Sequence, residues 1–127
     1  MSKLDNLFNL TPNKKPSKSN PIVFRRNKLL RGINKQIQNH DNVFVFGCHI
    51  TTQQLISFGL DTSKVTNILD NDTNKQGNFL YGTKLMTVSP KILESYENAC
   101  VVVKMGVYTD EIVIGLREIN SNLEIIT

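Results

Sequence analysis

Residues Val43 to Asp72 read VFVFGCHITTQQLISFGLDTSKVTNILDND. Val43, Phe44, Val45 and Phe46 form a short unbroken apolar run that stops at Gly47, the pattern of a strand buried on both faces of a parallel sheet. Ile50, Leu55 and Ile56 then follow at helical spacing, with Thr51 or Thr52 available to cap the start and Phe58-Gly59 to end it. Val65 to Leu69 makes a second strand, with Asp70, Asn71 and Asp72 just past it. Strand, glycine turn, helix and strand in that order make a βαβ unit. Such a unit places a backbone turn and a helix N-terminus at the carboxyl edge of a parallel sheet, where nucleotides are commonly held.

Downstream the alternation continues. Asp70, Asn71, Asp72, Asn74 and Gly77 make a polar, turn-rich loop. Lys84 to Val88 reads as a weak strand. Ser89-Pro90 sets a cap before a proline at the first helical position, which predicts a helix over 90–96. Cys100 to Lys104 is a third buried strand. Thr109 is placed to cap a helix to about Asn120, with Ile112, Leu116 and Ile119 inward, and Leu123 to Ile126 closes as a further strand. Alternating strands and helices predict an α/β fold, a Rossmann-like three-layer domain with a mainly parallel sheet of four or five strands.

Working backward from Val43, residues 22–39 predict an amphipathic helix from about Phe24 to Gln38. Leu29, Leu30, Ile33 and Ile37 form its apolar stripe, and Arg25, Arg26, Lys28, Arg31 and Lys35 spread over its other faces. Such a helix either packs with a solvated basic side or contacts a polyanion through its charges. No aromatic residues interleave with the charges, which argues against stacking of single-stranded bases. Residues 1–21 carry Pro12, Pro16 and Pro21 among Asn, Ser and Lys and read as an extended arm. Leu4, Leu7, Phe8 and Leu10 are spaced for one amphipathic turn, too short to be stable alone. The expected organisation is thus an arm (1–21), a basic helix (22–40) and an α/β domain (41–127).

The net charge of +4 conceals a split. Residues 1–40 carry nine basic side chains against Asp5 alone, a net of +8, while residues 41–127 carry six basic and ten acidic groups, a net of −4. The chain therefore reads as a basic arm on a mildly acidic domain. No run of about 18 apolar residues exists to span a membrane. The N-terminus has no apolar stretch of signal-peptide length, so a cytoplasmic protein is expected, with Cys48 and Cys100 reduced.

The candidate ligand contacts lie at one predicted edge. Gly47 is the turn glycine, but the segment reads GCHITT, with His49 and Thr52 where a dinucleotide fingerprint places its second and third glycines. The backbone near His49 to Thr52 and the hydroxyls of Thr51 and Thr52 are placed to meet a phosphate. Asp70 lies 23 residues after Gly47, near the position of a ribose-binding carboxylate. Asp70 and Asp72 would be the orienting groups for any acid–base role of His49. Lys104 and Tyr108 flank Gly106 after the third strand. No nucleophile elbow, phosphate-binding loop with Lys-Ser/Thr, or metal-spaced cluster is present, so the sequence assigns no catalytic residue, no metal ligand and no named cofactor.

From Phe46-Gly47-Cys48 through Asp70-Asn71, Lys75-Gln76-Gly77, Gly82-Thr83 and Ser89-Pro90-Lys91-Ile92-Leu93, with Gly106, Tyr108 and Glu111-Ile112 beyond, the chain resembles the Rossmann-like C-terminal domain of sugar C-methyltransferases of surface-polysaccharide biosynthesis. A similar layout occurs in the nucleotide-sugar-binding domain of some sugar acyltransferases. The resemblance covers about residues 42–127. It implies a domain that helps hold a nucleotide-linked sugar, with contacts at Gly47, His49, Thr51, Thr52, Asp70, Asp72, Gly82 and Tyr108. In the methyltransferases it resembles, cofactor and catalytic residues lie in a preceding domain. Only the basic arm and helix stand before Val43 here, so the expectation is binding without methyl transfer unless a partner enzyme subunit supplies the chemistry. The alternative is an assembly protein whose basic arm makes protein or nucleic-acid contacts.

Overall fold

The computed structural model of the protein describes residues 21–127, with side chains from Lys28 onward. The expected arm and its apolar turn at Leu4 to Leu10 lie outside the described residues.

Val43–Phe46 forms β1, and all four residues are buried. It is the middle of the sheet. On one side it pairs in parallel with β2 (Val65–Leu69), ending at Phe46 opposite Leu69. On the other it pairs in parallel with β4 (Cys100–Val103), ending at Phe46 opposite Val103. A short β3 (Thr87–Val88) lies outside β2, and β5 (Glu124–Ile126) lies outside β4, both parallel. The order is β3-β2-β1-β4-β5. The chain starts in the middle, builds outward to one side, then crosses back to build the other, so the order reverses between β1 and β4.

Alternation sends Val43 and Val45 to one face with Cys100, Val102 and Ile68, and Phe44 and Phe46 to the other with Val101, Val103 and Leu69. In β2 the register skips a residue after Val43 opposite Val65, so that Phe44 faces Asn67. This irregularity lets Val65 and Ile68, three apart, point to the same face. The first face is covered by α1 (Pro21–Ile37) and α2 (Ile50–Ser57). The second is covered by a 3₁₀ segment (Pro90–Ser95) and α3 (Thr109–Ile119). The layers are those of a Rossmann-like three-layer domain. No described helix is long and apolar enough to cross a membrane.

Helix α1 is part of this core. Leu30, Ile33 and Ile37 are buried against Val43, Val45 and Val102, while Lys28, Arg31 and Lys35 face solvent. Leu29, expected in the stripe, is 48% exposed because it sits one step round the helix from Leu30. Asn34 fastens the helix to the end of α2: its Nδ2 donates to Gly59 O at 2.9 Å and its Oδ1 accepts from the Asp61 N–H at 2.8 Å. Gln38 adds a bond to the Asp61 carboxylate at 2.8 Å.

Three local expectations change. The helix expected over 90–96 is a 3₁₀ segment, capped as foreseen by Ser89, whose hydroxyl accepts from the Lys91 N–H at 3.3 Å. Thr109 is the first residue of α3 and not its cap. Its hydroxyl accepts from the Met105 N–H at 3.1 Å, which folds the preceding loop under the helix. The strand expected over 84–88 shrinks to Thr87–Val88, since Phe79 and Met86 bridge antiparallel and Leu80 to Thr83 form a tight turn with Gly82 at φ +80°.

Candidate functional site

The loops after β1, β2 and β4 meet at the carboxyl edge of the sheet. Leaving β1, Gly47 takes φ +111° and donates its N–H to Leu69 O at 2.7 Å. A side chain at this position would be strained and would displace the ring of His49. The φ is strained for an L-residue, and an added Cβ would collide with the imidazole of His49. Thr52, buried in the first turn of α2, donates its hydroxyl to Gly47 O at 2.6 Å.

His49, not Thr51 or Thr52, is the N-cap of α2. Its Nδ1 accepts from the Thr51 N–H at 3.1 Å. An accepting Nδ1 leaves the ring proton on Nε2, which lies 2.8 Å from Met105 Sδ in the loop after β4. The ring thus bridges the two loops on either side of the point where strand order reverses. Burial, then the nearby Lys75, lower the His49 pKa below its ordinary 6.5, with Asp70 opposing. The cap itself requires the neutral ring. A native value below the unfolded one contributes stability fully present above pH 6.5 and lost as pH falls through the native value. Accordingly, the imidazole is expected to titrate by NMR below pH 6.5. The acid-side loss of stability should shrink in His49→Asn, whose side chain also caps but does not ionise. An imidazole midpoint above 6.5 would contradict this geometry.

Asp70 binds the second loop to the first. Its Oδ2 accepts from the Cys48 N–H at 2.8 Å and its Oδ1 from the Asp72 N–H at 2.9 Å, with Lys75 Nζ 4.0 Å away. Asp72 in turn accepts from the Asn74 N–H at 2.9 Å, and Gln76 donates to Asp70 O at 2.8 Å. The structure therefore brings Gly47, His49, Thr51, Thr52, Asp70 and Asp72 to one edge, where most of their polar atoms satisfy one another. Both oxygens of the carboxylate in the ribose-binding position are engaged, and the imidazole fills the space beside the glycine turn. These residues do not fit a dinucleotide or S-adenosylmethionine held against that turn in the usual way.

Gly82 sits apart from this group. The Tyr81–Gly82 turn is tied to the flank of α2 by Gln53, whose Nε2 donates to Tyr81 O at 3.0 Å, and Tyr81 is 82% exposed. Tyr108 belongs to the β4 loop, and its ring is 61% exposed.

Sequence reading missed Met105, whose sulfur receives the His49 proton, and Val107 and Ile50, which are 92% and 55% exposed. A signal existed for Val107: an apolar side chain directly after Gly106, in a loop with no partner strand. Ile50 and Val107-Tyr108 stand on the two loops that the His49–Met105 contact holds together. Lys104 lies at the foot of the second loop, where burial lowers its ammonium pKa.

Among the described residues no group of three or more His, Cys, Asp or Glu is placed to hold a metal. Cys100 is buried and its thiol is pushed up to about 11, by burial and then by Glu124, so it stays protonated and unreactive.

Residues 19–123 match a family model, the C-methyltransferase C-terminal domain. The chain belongs to that family. The match takes in α1, which the sequence resemblance over 42–127 leaves outside, in keeping with the burial of Leu30, Ile33 and Ile37. No curated protein and no solved structure matches the sequence. As a C-methyltransferase C-terminal domain, the chain is a methyltransferase-associated module. At its carboxyl edge His49 and Asp70 join the loops by hydrogen bonds, and Ile50, Val107 and Tyr108 are exposed beside them.

Proposed function

We propose that this module holds a nucleotide-linked sugar for a sugar-modifying methyltransferase, with the methyl donor and catalytic groups supplied by another domain or subunit. The observation that carries the reading is the exposure of Ile50 at the start of α2 and of Val107 and Tyr108 after β4, at the reversal point of the sheet. Exposed apolar side chains gathered in one place mark a contact surface. In a doubly wound sheet ligands sit at the carboxyl edge where the strand order reverses. Tyr108 offers a ring face to the sugar or nucleoside, and Lys75 and Lys104 supply positive charge for the phosphates. The loops beneath are held by the hydrogen bonds of Asp70 and His49, so little conformational freedom is lost on binding.

Calorimetric titration of the full chain with uridine diphosphate glucose and thymidine diphosphate glucose tests this. Binding is expected to at least one of them, and Tyr108→Ala is expected to weaken it about fivefold, from loss of roughly 1 kcal/mol of ring contact. Absence of binding to either, or an affinity indifferent to Tyr108→Ala, counts against the reading.

A further inference from the structure

Beside the rim, on the second face of the sheet, a cleft of about 340 Å³ opens between the 3₁₀ segment and α3. Its size is within the roughly 300–1,000 Å³ of small-molecule sites. Phe46, Pro90 and Ile112 give it apolar walls, and Gly115 lines it from the middle of α3. Asn71 and Glu111 supply polar groups near the carboxyl edge and Glu118 a further carboxylate along α3, all three exposed. The cleft is continuous with the carboxyl edge, because Phe46 ends β1, Asn71 follows Asp70, and Glu111 lies in the first turn of α3.

Gly115 is the telling residue. A glycine inside a helix costs about 1 kcal/mol relative to alanine. Here a Cβ would meet no atom within 4 Å, so no neighbouring part of the fold requires the glycine. Its missing side chain leaves the middle of the slot open. A slot with apolar walls and an amide and a carboxylate at the end nearest the carboxyl edge suits a planar ring with apolar faces and a hydrogen-bonding edge. Neither the Asn71 amide nor the Glu111 carboxylate makes a side-chain hydrogen bond among the described residues, so both are open to such an edge. The amide donates and accepts, and the carboxylate accepts.

We propose that this cleft takes the nucleobase of the nucleotide, stacked along Gly115 with its edge toward Asn71 and Glu111. The inference rests on the nucleotide reading above and adds where the base goes. It also orients the ligand: base in the α3 cleft, phosphates and sugar running over the rim toward Tyr108.

The test is an NMR titration of the ¹⁵N-labelled full chain. Uridine, cytidine, adenosine and guanosine monophosphates are added separately at millimolar concentration, with ribose 5-phosphate as the probe without a base. At least one nucleotide is expected to move the amide signals of Asn71, Glu111 and Gly115, and ribose 5-phosphate is not. Gly115→Leu, which fills the slot with a better helix former, is expected to cut nucleotide affinity tenfold or more without lowering the melting temperature. Glu111→Gln, on an exposed side chain, is expected to cut it about tenfold by weakening a charge-assisted hydrogen bond, and it keeps the test decisive if the leucine variant misfolds. Nucleotide-induced shifts confined to Cys48–Ile50 and Met105–Tyr108, unchanged by either substitution, would overturn the cleft assignment and leave the nucleotide reading standing. No shift with any nucleotide would overturn both.

Discussion

A chain shortened to begin at Asp41 is expected not to fold. Helix α1 places Leu30, Ile33 and Ile37 on the first face of the sheet, where all three are buried. Burying each is worth about 2 kcal/mol, so their joint loss approaches the 5–15 kcal/mol of a typical domain. Removing the helix would also bare Val43, Val45 and Val102, and would leave Gly59 O and the Asp61 N–H without the Asn34 side chain that satisfies them. The milder Ile37→Ala should cost about 2–5 kcal/mol in a urea unfolding curve, since a residue with no exposure leaves a cavity that the sheet beneath cannot fill. A folded, cooperative 41–127 fragment would show that the basic helix is an appendage. Its burial against Val43, Val45 and Val102 makes it a structural layer.

The second large effect is expected at Asp70. Its two oxygens receive the backbone N–H groups of Cys48 and Asp72, so one carboxylate fixes the turn after β1 to the loop after β2. Asp70→Ala should lower stability by about 2–3 kcal/mol, because the part-buried Cys48 N–H and the exposed Asp72 N–H both lose an ionised acceptor. Asp72→Ala removes only the bond from the Asn74 N–H in an exposed loop and should cost under about 1 kcal/mol. The contrast separates two roles for the same carboxylate. A residue serving only a ribose would, when removed, weaken ligand and leave the unfolding midpoint alone. A residue that builds the floor moves the midpoint first, and an unchanged midpoint in Asp70→Ala would refute this assignment.

The strands and their parallel arrangement were legible because they depend on pattern. VFVF at Val43–Phe46 and CVVV at Cys100–Val103 are apolar on both faces, as central parallel strands must be, and the intervening spacings leave room for crossovers. The edge chemistry was less so. Gly47 and Asp70 were identified by position, but the sequence offers no sign that Asp70 spends both oxygens on backbone N–H groups, since such bonds join residues 22 apart in the chain. Likewise the capping of α2 looked equally open to Thr51 and Thr52. The choice fell to His49 because Gly47 carries no side chain to exclude the ring and Met105 lies opposite to receive its proton. Leu29 had the right residue type and lay just outside the right arc. The α3 cleft left its trace only as a glycine inside a helical pattern, which sequence alone does not distinguish from a tolerated defect.

The central claim is that a nucleotide-linked sugar lies across the carboxyl edge of the sheet. Photo-crosslinking of the full chain with a uridine diphosphate sugar bearing a photoreactive group on the sugar, followed by peptide mapping, tests it most directly. The account predicts label in Cys48–Thr52 and Met105–Thr109, competed away by unlabelled ligand and reduced in Tyr108→Ala. Competed label at the opposite end of the strands instead, in Asn39–Asn42 or Ser95–Ala99, would contradict it.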